Sequence, residues 1–106
     1  MHKIFAYGTL TKPAILESIL GRVPTMADDE LQNYSISSYN EYLNLTYNQT
    51  SKVYGKVFEV DDKELKLIDK YEGFEYSRIG RKLKSGTTAN VYLVLMHKPI
   101  FPEEKA

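Results

Sequence analysis

The chain has 106 residues, of which 42% are apolar, 26% charged and 12% aromatic; this is enough for one hydrophobic core and too little for a second. Fourteen basic side chains balance fourteen acidic ones, so no global positive field draws the protein to nucleic acid or to an anionic membrane. Cysteine is absent, which excludes disulfides, thiolate nucleophiles and thiolate metal sites and fits a reducing cytoplasm.

The first apolar run, Lys3 to Tyr7, reads as a strand that stops at Gly8; it is too short for a signal peptide, and no later stretch reaches membrane-spanning length. A loop follows, and Thr11 can cap a helix with Pro13 in its first turn, Ile15, Leu16, Ile19 and Leu20 on its apolar side and Gly21 at its end. From Val23 to Gln32 the pattern is weak, and the acidic run Asp28, Asp29, Glu30 marks part of the segment as exposed. Tyr34 to Tyr39 and Leu43 to Tyr47 then alternate as two short antiparallel strands separated by turn-forming Asn and Ser residues. The glycosylation-type triplets at Asn33, Asn44 and Asn48 carry no weight without a secretory signal.

Val53 to Val60 is a clearer strand, and Gly55 within it predicts a bulge or a place where something approaches the backbone closely. A helix begins at Asp61 or Asp62, where Glu64 completes a capping box with Asp61, and ends at Gly73. Tyr76 to Leu83 and Thr88 to Met96 form a hairpin around Lys84, Ser85, Gly86 and Thr87, with an almost wholly apolar second strand expected at the centre of the sheet. The tail from His97 onward has two prolines and a charged end and is expected to be peripheral, giving one domain over residues 1–98 followed by 99–106. About six strands and two helices in this order predict a mostly antiparallel α+β fold in which a small, partly closed barrel removes exposed sheet edges.

Chemistry has few places to sit. His2 and His97 lie near opposite ends of the chain, with no spacing that joins them to each other or to paired carboxylates, so neither a metal site nor a cofactor is expected. No glycine-flanked serine elbow is present. Glu72 is the informative carboxylate: at about 100° per residue it projects between Leu65 and Ile68, toward the core. Desolvation and the negative end of the helix dipole would both raise its pKa and make it a proton carrier near neutral pH. If the last turn frays, Glu72 swings into solvent and only decorates a helix end. The second candidate is the loop at Gly8, which lets backbone approach a ligand and is followed by the unpaired N–H groups of a helix start; its plainer reading is a strand-to-helix turn.

Tyr7, Gly8, Thr9, Leu10 after an N-terminal strand, and Leu67, Ile68, Asp69, Lys70, Tyr71, Glu72, Gly73 after a helix, together resemble the γ-glutamylcyclotransferase-like family. Between them, Tyr54 to Val60 is similar to that family's glycine-containing strand, and Tyr76, Ser77, Arg78 to its following Tyr-x-Arg element. The resemblance covers most of the chain. It implies a small mixed barrel with flanking helices, a substrate-binding loop at Tyr7, Gly8, Thr9 and Leu10, and a catalytic glutamate at Glu72 that serves as general acid and base while a γ-glutamyl compound cyclises to 5-oxoproline. Tyr92, on the apolar last strand, can place a hydroxyl near Glu72, or serve simply as a core tyrosine. Departures from the family pattern are Leu43 in place of a frequent proline, Ile68 in place of leucine, and a short Asn44 to Lys52 segment; because loops around the pocket recognise the leaving group, substrate identity does not carry over. The implied partner is a small γ-glutamyl molecule, with no nucleic acid, membrane or metal. The alternative is a non-catalytic domain of the same fold that binds a small carboxylate or a peptide.

Overall fold

The computed structural model describes residues 1–39 and 42–94. The tail 99–106 and His97 lie outside this range. The elements in chain order are β1 (His2–Ala6), a 3-10 turn (Thr9–Thr11), α1 (Pro13–Leu20), β2 (Ala27–Tyr39), β3 (Tyr42–Val60), α2 (Asp62–Glu72), β4 (Ser77–Lys82) and β5 (Thr88–Leu93). The five strands form one sheet in the order β2-β3-β1-β5-β4, with β1 and β5 parallel and every other neighbouring pair antiparallel.

The sheet curls until its two edges meet. The Lys84 N–H, just past β4, donates to the Glu30 carbonyl of β2 at 2.9 Å. Beside it the Ser85 hydroxyl donates to Asp29 at 2.6 Å, and Arg81 Nε donates to the Tyr34 hydroxyl at 3.1 Å. Pairing the edges in this way satisfies backbone groups that an open sheet would leave exposed, and the result is a partly closed, mixed barrel. The strand period of two then separates two cores. Phe5, Leu31, Leu45, Val53, Val91 and Leu93 fill the concave side, while Ile4, Ala6, Phe58, Val60 and Tyr92 turn outward and are covered by Leu16 of α1 and by Leu65 and Ile68 of α2.

Two strand boundaries differ from the sequence reading. The segments Leu43 to Tyr47 and Val53 to Val60 belong to one strand, β3, so there are five strands among the described residues. The polar run between them is an irregularity within the ribbon. Gln32 pairs with Lys52 and Tyr34 with Tyr47, so Asn33 stands opposite residues 48–51. Asn33 takes a φ of 72° there, a left-handed conformation that asparagine tolerates better than most residues. β2 also begins earlier than expected, at Ala27. Its charged residues suit an edge strand whose partners come from other segments: Asp28 takes Lys56, opposite it on β3, at 2.5 Å, and Asp29 takes Ser85. Glu30, read as part of an exposed acidic run, is buried beneath Lys84 and Ser85.

Helix ends follow local chemistry more closely. Asp61 caps α2 with a reciprocal box: its carboxylate accepts from the Glu64 N–H at 2.8 Å, and Glu64 accepts from the Asp61 N–H at 3.0 Å. Glu64 is gripped again by the Arg22 guanidinium at 2.6 and 2.8 Å, which ties the segment after α1 to α2. Gly21, at φ 79°, closes α1 as expected. Thr11 does not cap that helix. Its hydroxyl turns back to the Gly8 carbonyl at 2.6 Å, and Lys12 occupies the cap position ahead of Pro13. The 3-10 turn intervenes and takes Thr11 for its own closure.

No helix among the described residues is long and apolar enough to cross a membrane.

Candidate active site

β1 ends in an unusually close approach to its sheet neighbour β3. A Cβ on Gly55 would lie 2.3 Å from the Ala6 carbonyl oxygen and 2.6 Å from the Phe5 ring. The close approach expected at Gly55 is therefore that of the protein's own first strand, and it sets where Tyr7 and Gly8 leave the sheet. The Tyr7 hydroxyl crosses to β5 and donates to the Tyr92 carbonyl at 2.7 Å. After Gly8 the 3-10 turn forms on two bonds, from the Thr11 N–H to the Gly8 carbonyl and from the Lys12 N–H to the Thr9 carbonyl, each 3.0 Å. The N–H groups of Gly8, Thr9 and Leu10 lie outside those bonds.

Facing this turn is the end of α2. The Gly73 N–H bonds the Asp69 carbonyl at 3.0 Å, so the last turn is helical through Glu72, and Gly73 at φ 92° then redirects the chain. Glu72 does not swing into solvent. With Leu65 and Ile68 in the core, it continues the inward face of α2 into a cavity of about 410 Å³. The same cavity is lined by Tyr7, Gly8, Thr9, Leu10 and Tyr92, so all six residues picked out from the sequence share one pocket. Leu43, Tyr71 and Tyr76 complete the wall together with Phe5 and Ala6.

The electrostatics of the cavity follow from burial. Burial raises the Glu72 carboxyl from 4.5 to about 7, because the low-dielectric wall penalises the carboxylate more than the neutral acid. Burial likewise raises the Tyr7 phenol, with further contributions from Tyr76 and Glu72, so it stays a neutral donor. Tyr92 is raised too, first by burial and then by its hydrogen bond to Asp69. That bond, 2.5 Å from the Tyr92 hydroxyl to Asp69 Oδ1, directs the phenolic proton to Asp69, while the ring remains in the cavity wall.

Sequence reasoning gave no role to two of the wall residues, Tyr71 and Tyr76. The Tyr71 hydroxyl meets Thr9 Oγ1 at 2.8 Å and joins α2 to the loop across the cavity. Tyr76 donates to the Leu43 carbonyl at 2.6 Å and brings β3 to the same rim. Tyr71 and Tyr76 stand inside the recognised motifs, one residue before Glu72 and two before Arg78, and that adjacency was their only signal. Asn44 was missed as well: it is buried, and its amide both donates to and accepts from the backbone of Val94, at 3.3 and 2.8 Å, in the manner of a paired strand.

A hollow of about 590 Å³ lies elsewhere, walled in part by Lys3, Arg22, Asp28 and Glu59. Lys3 pairs there with Glu59, Asp28 with Lys56 and Arg22 with Glu64, while Asp29 accepts from Ser85. Among the described residues, no three His, Asp or Glu side chains gather as metal ligands.

The chain is similar over 81 residues to AIG2-like protein D of Arabidopsis thaliana, at 33% identity covering 74% of this chain and 53% of that protein. AIG2-like protein C of the same plant is 32% identical over 80 residues, 73% of this chain and 46% of the relative. The chain thus spans about half the length of these curated relatives. Among solved structures, that of an Arabidopsis thaliana protein superposes with a TM-score of 0.77 at 27% identity, over 88% of this chain and 61% of the other. A structure described as a gamma-glutamyl cyclotransferase superposes with a TM-score of 0.71 over 88% of this chain and 66% of the other; at 18% identity it speaks for the fold alone. Residues 4–105 match the family described as "Gamma-glutamyl cyclotransferase, AIG2-like", and the chain belongs to that family.

Proposed function

We propose that the protein cyclises a γ-glutamyl amine or γ-glutamyl amino acid to 5-oxoproline and releases the amine, with Glu72 carrying the proton. The observation behind this reading is a half-buried carboxyl, raised to about 7, facing the Tyr7–Leu10 loop across one cavity. The reaction needs no external nucleophile. The substrate's α-amine, once deprotonated, attacks its own γ-carbonyl carbon; a C–N bond forms and the carbonyl electrons move to oxygen. Collapse of that oxyanion breaks the original amide bond. Glu72 passes the proton it took from the α-ammonium to the departing nitrogen; the second proton, shed by the attacking nitrogen as it becomes the lactam N–H, leaves with the released amine as its ammonium, and the carboxylate is regenerated.

An ordinary glutamate lies several pKa units below an α-ammonium, so raising the carboxyl narrows the gap that proton transfer must cross. The N–H groups of Gly8, Thr9 and Leu10 are placed to hold the substrate's carboxylate or the developing oxyanion, and main-chain donors fixed in advance cost no reorganisation at the reaction step. The aromatic wall of Tyr7, Tyr76 and Tyr92 excludes water and folds the flexible substrate toward a five-membered ring. We place the reaction in a reducing, cytoplasmic compartment, consistent with a cysteine-free chain.

A panel of γ-glutamyl amines and γ-glutamyl amino acids, assayed for 5-oxoproline, tests the proposal. The wild-type protein should release product from at least one of them. Glu72→Gln, nearly isosteric and unable to take the proton, should bind that substrate and lose turnover by at least about a thousandfold, in line with removal of a proton-transfer group. Wild-type-like turnover by Glu72→Gln sinks the assignment. Thermal stabilisation by a γ-glutamyl ligand without product identifies a binding domain instead.

A further inference from the structure

Asp69 does not line the cavity, yet it is hydrogen-bonded to Tyr92, which does, and to Arg78 of β4. Its Oδ1 accepts from the Tyr92 hydroxyl at 2.5 Å and from Arg78 Nε at 2.9 Å, and its Oδ2 accepts from the second Arg78 nitrogen at 3.1 Å. Its main-chain carbonyl accepts the Gly73 N–H that closes the final turn of α2. One residue thus fastens that turn to β5 through Tyr92 and to β4 through Arg78, and does so one turn before Glu72.

Such a fastening answers a local weakness. A carboxylate in the last turn of a helix faces the negative end of the dipole, and Gly73 breaks the helix immediately afterward. Nothing in local propensity keeps Glu72 turned inward, and a frayed turn would let it reach water. Asp69 is suited to the opposing role because it stays ionised. Burial would raise its carboxyl, but the hydrogen bonds from Arg78 and Tyr92 outweigh that effect and hold it below the usual carboxylate range. Tyr92 is tied at both ends, its hydroxyl to Asp69 and its carbonyl to the Tyr7 hydroxyl, so the helix and the loop are referred to the same residue of β5.

We infer that Asp69 is a positioning residue which, through Tyr92 and Arg78, fixes the last turn of α2 so that the Glu72 carboxyl points into the cavity. The inference rests on Glu72 as the proton carrier, and its test separates the two. The groups facing Glu72 from the surrounding elements are the phenols of Tyr7 after β1, Tyr76 ahead of β4, Tyr92 on β5 and Tyr71 on α2 itself, while β3 contributes Leu43. No phenol ionises below about pH 10 in the ordinary case, and Arg78 and Asp69 keep their charges. In wild type and in Tyr92→Phe, where both charges stay, a titration of Glu72 therefore reports how far its carboxyl is removed from water; Asp69→Asn also removes a negative charge, so a fall in its midpoint counts for the inference only when Tyr92→Phe shares it.

The experiment is a carbon-13 NMR titration of glutamate-labelled protein, with the Glu72 signal assigned by its loss in Glu72→Gln. Wild-type protein should give a midpoint near 7. Asp69→Asn, which keeps the shape but not the charge, and Tyr92→Phe, which keeps the ring in the wall, should each lower the midpoint by about one unit or more toward the ordinary value. In the cyclisation assay both should lose kcat about tenfold to a hundredfold, as misplaced catalytic groups do, with KM within about threefold of wild type. A variant that only weakens the fold lowers Tm without moving the midpoint.

An unmoved midpoint in folded Asp69→Asn overturns the inference, as does a wild-type midpoint near 4.5. If Asp69→Asn does not fold, Tyr92→Phe decides on the same criteria. Displaced midpoints in a protein that releases no 5-oxoproline keep the clamp and remove the cyclisation; an active enzyme with unmoved midpoints does the reverse.

Discussion

Glu72 sits where stability alone would not place a carboxylate, and that has a measurable cost. Its folded-state pKa of about 7 lies above its ordinary value of 4.5, so the folded protein binds the extra proton more tightly than the unfolded chain does. The associated stability is present below about pH 4.5 and is lost as the pH rises through about 7, a change on the order of 3 kcal/mol. Glu72→Gln should therefore raise Tm relative to wild type at pH 8 and change it little at pH 5, which calorimetry at the two pH values would show. Turnover should run the opposite way. With Glu72 as the base, kcat/KM should fall about tenfold per unit as the pH drops below about 7, and the stable pH range and the active one should overlap only partly.

Helical periodicity aimed Glu72 inward, because Leu65 and Ile68 fix the buried face of α2, but it left open whether the last turn frays and releases it. The partners that keep it there were not legible. Arg78 and Tyr92 reach Asp69 from strands that follow the helix in sequence, and no spacing rule links residue 69 to 78 and 92. Tyr92 showed the same limit: its place on an apolar strand put it beside Glu72 in the cavity wall, but the direction of its hydroxyl depended on a carboxylate one helical turn away.

At the level of elements, boundaries were readable where the chemistry was local. α2 carries its start in Asp61 and Glu64 and its stop in Gly73, all within a short window of sequence. β2 carries no such marks, since Asp28 and Asp29 are satisfied by Lys56 and Ser85, which are distant in the chain. β3 misled the reading for another reason: its middle is exposed on both faces and so lost the alternation that marks a half-buried strand. Gly55, by contrast, announced a close approach correctly, and the structure supplies the magnitude. With backbone only 2.3 Å from where its Cβ would be, Gly55→Ala should force β3 off β1 and destabilise the protein by about 1–3 kcal/mol or more. Urea denaturation would measure that loss, and an unchanged midpoint would mean that the two strands separate easily.

For the molecule as a whole, the mixed barrel could be anticipated in outline. A hairpin at the end of the chain, a long central ribbon and two helices leave few ways to cover the apolar surface. The parallel contact between β1 and β5 was not visible, because it joins the beginning of the chain to its last described strand and no local pattern records such a pairing. The family resemblance supplied what topology rules did not, by placing the loop after β1 and the end of α2 in one site.

The seam between β2 and β4 gives the barrel a latch separate from its floor. Lys84 donates its N–H across that seam to Glu30, whereas β1 is hydrogen-bonded to a neighbour on each side. Local opening of an edge requires far less free energy than global unfolding. The Lys84 amide should therefore exchange with deuterium well before those of Ile4, Phe5 and Val91, and uniform exchange across all four would show that the barrel opens only by unfolding. The Glu72 cavity is walled by β1, β3, β5 and α2 rather than by the seam, so the barrel can unlatch on one side while the pocket on the other keeps its shape.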